Sequence, residues 1–301
     1  MRKLRDPRCR IKLAVFGFAI LLASWALPSR LALAQDAGLS RRLDRIIAGD
    51  KTAGRKAVYA RWLNGKRIYG HHMDDPITPA SCMKILSTGV ALRHMGANYR
   101  FTSRLYGKIN KDTLETPLYW RGDGDPSLTS AHLAAWAQQL KSKGITKIPK
   151  GLVIDDTYFD RQKPAGFQFG RGNEGYLAIP APTTAEGNAI TVTLEIKDEE
   201  VSMSCSPASP YHACSSDVKI GPKENLRFIT ETRGDVLHIQ ALGTITKAEP
   251  QVVNRVRSFD SSRFAHALFV QILKDNGITV NETFARGKTP AGLPELVVHT
   301  S

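Results

Sequence analysis

No strand-helix-strand unit repeats along this 301-residue chain, and that absence constrains its fold more than any single motif does. Parallel sheets need a crossover helix at regular intervals, so a chain without that rhythm belongs to the mixed α+β class. The elements themselves are well signalled. Residues 56–63 alternate in the manner of a half-buried strand, Asn64-Gly65 supplies the pair that a type I′ turn requires, and residues 66–69 return, which predicts a β-hairpin. Thr78 and Pro79 then offer an N-cap and a first helical residue for a helix reaching Met95 and stopping at Gly96. Ile85, Leu86, Val90 and Leu92 make this helix largely apolar, as a core helix is.

Farther on, Tyr119-Trp120-Arg121 leads into the turn Gly122-Asp123-Gly124-Asp125-Pro126. Leu133, Trp136, Ala137 and Leu140 follow at i, i+3, i+4 and i+7, a core-facing helical stripe that Gly144 ends. Residues 151–154 and 189–196 read as strands, the second with β-branched residues in alternation. A last helix over 261–276 places Phe264, Leu268 and Ile272 on one face before Gly277, and residues 278–280 are strand-like. There is no internal repeat and no low-complexity segment.

The charge balance acquires meaning only by position. The chain holds 42 basic and 28 acidic residues, a formal net charge of +14. Arg2, Lys3, Arg5, Arg8, Arg10 and Lys12 precede an apolar run over 13–27, and Ala32-Leu33-Ala34 supplies a small-x-small cleavage site, so residues 1–34 read as a secretory signal. The apolar run is short for a membrane span. With Arg30 this segment takes seven positive charges and the negative charge of Asp6, leaving +8 from Gln35 onward. No Lys/Arg cluster is interleaved with aromatics, and export argues against a nucleic-acid partner. The expected location is the periplasm, with peripheral membrane association left open.

Four cysteines are too few and too scattered for a zinc ribbon. Cys9 falls in the signal. Cys205 and Cys214 flank a turn-rich loop that an oxidising compartment can close as a disulfide, the alternative being two free thiols. Cys82 is left over.

It lies within Ser81-Cys82-Met83-Lys84, in the first turn of the Pro79 helix, where residues three apart share a face. A serine hydroxyl attacks a carbonyl only once a base takes its proton, and a lysine in an enclosed, desolvated site can be that base. A helix N-terminus adds backbone N–H groups and a positive field for a developing oxyanion. Ser81 as nucleophile and Lys84 as base therefore stand against an ordinary capped core helix. The spacing itself is common: Ser216-Asp217-Val218-Lys219 repeats it in a polar, turn-rich stretch. His71-His72-Met73-Asp74-Asp75 reads as a polar connector and Asp123 with Asp125 as a turn before a helix, so no metal and no cofactor is predicted.

The hairpin, the Thr78-to-Lys84 segment, Tyr119-Trp-Arg-Gly-Asp-Gly-Asp-Pro-Ser-Leu128, Leu152-Val-Ile-Asp-Asp-Thr-Tyr-Phe159, the Gly187-Asn-Ala-Ile-Thr-Val192 strand and the Phe264 helix come in an order and spacing that resemble the DacB-type D-alanyl-D-alanine carboxypeptidase/endopeptidases, the class C low-molecular-mass penicillin-binding proteins. The resemblance implies a penicillin-binding/β-lactamase-like transpeptidase domain interrupted by a β-rich inserted domain. Its first part would occupy residues 35–98, the insertion 99–254 and the return 255–301. It also implies that Ser81 is acylated by the penultimate D-alanine carbonyl of a peptidoglycan stem peptide with Lys84 as base, that water hydrolyses the acyl-enzyme, and that β-lactams trap the same serine.

The sequence departs from the family pattern in one respect. Such enzymes pair Ser-x-x-Lys with Ser-Asp-Asn and Lys-Thr-Gly, yet no Ser-x-Asn occurs here, and the nearest approach to the latter is Lys288-Thr289-Pro290, whose proline offers no N–H. Residues 297–301 resemble the family segment shortly before Ser-x-Asn, so the chain is expected to stop short of part of its active site. An impaired carboxypeptidase is the expectation. The alternatives are a non-catalytic periplasmic cell-wall-binding protein of the same ancestry and an unrelated exported binding module.

Overall fold

The computed structural model describes residues 37–52, 54–160 and 172–301; the export segment read in residues 1–34, and Cys9 with it, lie outside them. The chain divides into two compact units, residues 1–97 and 98–301.

In the first unit, helix α1 (residues 37–49) precedes an antiparallel hairpin of Val58–Arg61 and Arg67–His71. The Tyr69 hydroxyl donates to Asp44 Oδ1 at 2.5 Å and ties the hairpin to α1. The hairpin loop is longer than the expected two-residue turn. Trp62 N–H donates to Lys66 O, Gly65 N–H donates to Trp62 O, and Gly65 takes φ 90° while Asn64 is not at positive φ, so a type I′ turn, which needs both residues there, is not formed.

Past the hairpin comes a 3₁₀ turn, Ala80–Cys82, and then helix α2, Met83–Met95, ended at Gly96 with φ 79°. The α-helix thus begins four residues later than Pro79. Ala80 adopts φ 44°, a left-handed conformation that costs an alanine ~1–2 kcal/mol and interrupts the helical path between Pro79 and Met83. The expectation of a core helix is not met either. No residue of α2 is buried, and Ile85, Leu86, Val90 and Leu92 are 76%, 63%, 56% and 56% exposed, because no described element lies over them.

The second unit is built on a five-stranded mixed sheet, ordered Ala285–Arg286, Leu152–Asp155, Leu118–Arg121, Thr102–Tyr106, Glu295–Thr300. The first three run parallel and the last two add antiparallel. Helices α3 (Ser130–Ser142) and α4 (Ser261–Asp275) pack against one another beside it. Their phases are those the sequence predicts: α3 buries Leu133, Trp136, Ala137 and Leu140, and α4 buries Phe264, Leu268 and Ile272 among others. Asp260 caps α4 by accepting from Arg263 N at 3.0 Å. Trp120, Trp136 and Phe269 meet edge to face at 5.4, 5.6 and 5.9 Å, contacts worth about 0.5–1.5 kcal/mol each beyond burial.

The turn after Leu118–Arg121 explains its glycines. A Cβ on Gly122 would collide with the Pro182 carbonyl oxygen, and Gly124 holds φ 93°. Asp123 accepts from Thr102 N, and Asp125 from Ser127 N and Oγ, so both carboxylates serve the turn.

A small four-stranded sheet, ordered Thr279–Val280, Lys147–Ile148, Thr113–Leu114, Ile109–Asn110, and two three-stranded sheets complete the unit. Of the latter, one is Glu200–Ser206, Ala189–Lys197 and Gln251–Arg257; the other is His212–Ile220, Val236–Ile245 and Asn225–Arg233. Leu194, Val218, Ala241 and Ile245 form a buried cluster shared by the two. The Cys205–Cys214 disulfide joins their edge strands with a Cα–Cα distance of 6.6 Å, which makes the bridge the formed alternative. Strand Gln251–Arg257 runs continuously through position 254/255, and α4 packs on α3 within the same unit.

Candidate active site

Ser81 lies in the 3₁₀ turn, whose Cys82 N–H donates to Pro79 O at 2.8 Å, and Lys84 opens α2 one residue beyond its start. Lys84 Nζ sits 3.5 Å from Ser81 Oγ, a long hydrogen-bond distance. The two residues therefore meet, although a change of helix type falls between them. A 3₁₀ turn has three residues per turn, which keeps positions three apart nearly eclipsed.

Enclosure is the part of the expectation that fails. Ser81, Cys82 and Lys84 are exposed, and so is Met83 beside them, so the described residues do not supply the dry surroundings that a lysine base needs. A hydroxyl, an amine and a helix start are in register here; a walled pocket is not.

The second Ser-x-x-Lys resolves differently. Ser216 and Lys219 lie on the strand His212–Ile220, where positions three apart face opposite sides of the sheet, and Ser216 Oγ accepts from Val218 N. It cannot be a nucleophile–base pair. The identical spacing means contact on a helical turn and separation on a strand.

The Lys288-Thr289-Pro290 segment lies outside any strand, and Thr289 N–H donates to Asp155 Oδ2 at 2.8 Å. Burial alone would raise the Asp155 carboxyl, but hydrogen bonds from Thr157 and Thr289 hold it below the usual carboxylate range. His72 Nδ1 lies 3.2 Å from Asp75 Oδ2, which Arg55 also reaches at 3.2 Å, so the His-His-Met-Asp-Asp stretch is a charge-paired connector. Glu186 was not singled out from sequence. It accepts from Ser130 N at 2.6 Å and from Ser130 Oγ at 2.8 Å, placing a carboxylate at the α3 N-terminus from 56 residues away, a separation at which no local pattern signals contact. No helix among the described residues is long and apolar enough to cross a membrane.

The α+β architecture is one that solved penicillin-binding proteins share. Two structures of penicillin binding protein 4 (dacB) from Haemophilus influenzae match this chain with 20% identity and cover 79% of it: one, covered over 54% of its own length, has a TM-score of 0.63, and the other, a complex with a novel β-lactam covered over 52%, has 0.59. The model of the D-Ala-D-Ala carboxypeptidase 3 (S13) family matches residues 39–301, and the chain belongs to that family. A D-alanyl-D-alanine carboxypeptidase from Actinomadura sp. (strain R39) is 25% identical over 253 residues, 79% of this chain and 47% of the relative. The chain thus spans about half the length of the relatives it matches, and the reading of an unrelated binding module is overturned.

Proposed function

We propose that this chain carries the acylation half of an exported serine-type D-Ala-D-Ala carboxypeptidase/endopeptidase acting on peptidoglycan stem peptides. Ser81 Oγ attacks the penultimate D-alanine carbonyl while its proton passes to Lys84; the terminal D-alanine leaves with a proton, and water then hydrolyses the Ser81 ester. β-Lactams would acylate the same oxygen and stay there. The observation that carries the reading is the 3.5 Å approach of Lys84 Nζ to Ser81 Oγ within a segment that the family model matches.

Turnover by this chain alone is proposed to be poor. Its sequence offers no Ser-x-Asn and no Lys-Thr-Gly, the groups that would relay protons to the leaving amine and complete the oxyanion hole, and losing one oxyanion donor costs about 10²–10³ in rate. The exposure of Ser81 and Lys84 favours a second reading, a non-catalytic periplasmic protein of the same ancestry that binds cell-wall polymer.

The reading of residues 99–254 as an insertion with a return at 255 belongs to the same proposal. Thr102 pairs with Thr300, and Ser301 N–H donates to Phe101 O, so residues 101–102 lie beside residues 300–301.

The test is acylation by a fluorescent penicillin with assay of D-alanine release. Slow labelling that disappears in Ser81→Ala, with little or no D-alanine released, is the expected result. Labelling that survives Ser81→Ala would overturn the site, and cell-wall binding with no labelling at all would favour the second reading.

A further inference from the structure

We propose that the Cys205–Cys214 bridge is one state of a redox-exchangeable metal site, in which reduction frees both sulfurs to bind a zinc-class divalent cation together with His212. Among the described residues, this is the one place where three metal-competent side chains converge: the two sulfurs and an imidazole nitrogen all lie within 4.8 Å of one another. The geometry follows from the strands. His212 and Cys214 stand two residues apart on the strand His212–Ile220 and so share a face, while Cys205 approaches from Glu200–Ser206, the edge strand of the neighbouring sheet.

Each of the three residues is half-buried, enough to shield thiolates without barring entry of an ion. His212 Nδ1 is itself buried and has no hydrogen-bond partner among the described residues, so this ring carries a polar atom that the fold leaves unused. Zinc–sulfur bonds of about 2.3 Å and zinc–nitrogen bonds of about 2.0–2.1 Å place the donors of a tetrahedral site ~3.5–3.8 Å apart, a small rearrangement from the present cluster. Two thiolates and an imidazole suit a borderline-soft ion, and three protein ligands leave a fourth position for water.

The exchange balances with a dithiol reductant. Two electrons and two protons pass from the dithiol to the bridge, the dithiol closing its own disulfide as Cys205 and Cys214 become thiols. Binding of the divalent ion then releases both thiol protons. In the reverse exchange a disulfide oxidant accepts the two electrons and is reduced to a dithiol, taking up two protons, while the two thiolates re-form the bridge and the ion is released, so disulfide and metal are alternative cross-links between the same two sheets.

Anaerobic titration of the 301-residue chain with Co(II), a coloured probe of zinc sites, tests this. The reduced protein is expected to take up one equivalent with the d–d bands of a tetrahedral ion and a thiolate charge-transfer band, and the oxidised protein to show neither. His212→Ala, checked for folding by circular dichroism and joined by His212→Gln, is expected to weaken uptake by about tenfold or more. No uptake by the folded reduced chain, equal uptake without the imidazole, or unfolding on reduction even with zinc present would each overturn the proposal.

Discussion

Helices α2 and α4 are nearly the same length, 13 and 15 residues, and both are rich in apolar side chains, yet α4 buries ten residues and α2 none. The difference lies in how the apolar residues are arranged and in what surrounds them. In α4 they form one broad stripe against α3 and the five-stranded sheet, with Arg263 and Lys274 outside it. Along α2, Met83, Leu86 and Val90 occupy one side while Ile85 and Leu92 occupy another, so that helix needs neighbours on several sides, and no described element provides them. Apolar content states that a helix needs cover; it does not state what the cover is.

The sharpest way to break this comparison is truncation at both places. Phe269 is fully buried against Trp120 and Trp136, so Phe269→Ala is expected to lower the urea-unfolding free energy of unit 98–301 by about 3–5 kcal/mol, read by tryptophan fluorescence. A loss below 1 kcal/mol would mean that the aromatic cluster is not the core.

A smaller effect comes from acid. Burial pushes the His266 imidazole on α4 from 6.5 down to about 4, partly offset by backbone hydrogen bonds at Leu152 and Thr283. Between those two values the unfolded chain binds the proton and the folded chain does not, so stability present above the unfolded pKa is lost as pH falls. From about pH 7 to about pH 4.5 this histidine should cost roughly 2–3 kcal/mol. The difference in urea midpoint shift between the parent and His266→Asn isolates it from the carboxylates, and an identical acid response in both would refute the assignment.

The smallest expected change is in α2. Leu86→Ala removes a side chain already 63% exposed and should alter the unfolding free energy by no more than about 0.5 kcal/mol. A loss of 2 kcal/mol or more would show that α2 is covered in solution, and the contrast with α4 would disappear.

Much of unit 98–301 was legible because its signals are local. The stripe of Leu133, Trp136, Ala137 and Leu140, the stops at Gly144 and Gly277, and the Asp-rich turn before α3 each depend on residues within a few positions of one another. The Cys205–Cys214 bridge was legible as one of two alternatives, since only a nine-residue separation had to be closed. The candidate site was half legible: the spacing of Ser81 and Lys84 announced contact, whereas their exposure depends on groups distant in the chain. The hairpin was read correctly and its turn was not, because Asn-Gly permits a type I′ turn without compelling it.

Sequence by itself determined where helices stop, which face of α3 and α4 is greasy, and that one serine has an amine a turn away, since each follows from backbone and side-chain geometry over fewer than ten residues. Tertiary structure alone decided that Thr102 lies beside Thr300, that Glu186 caps α3, that His212 joins the cysteine pair, and that α2 stays uncovered. Those are contacts between segments far apart in the chain, fixed by how sheets stack and close, and no short-range preference encodes them.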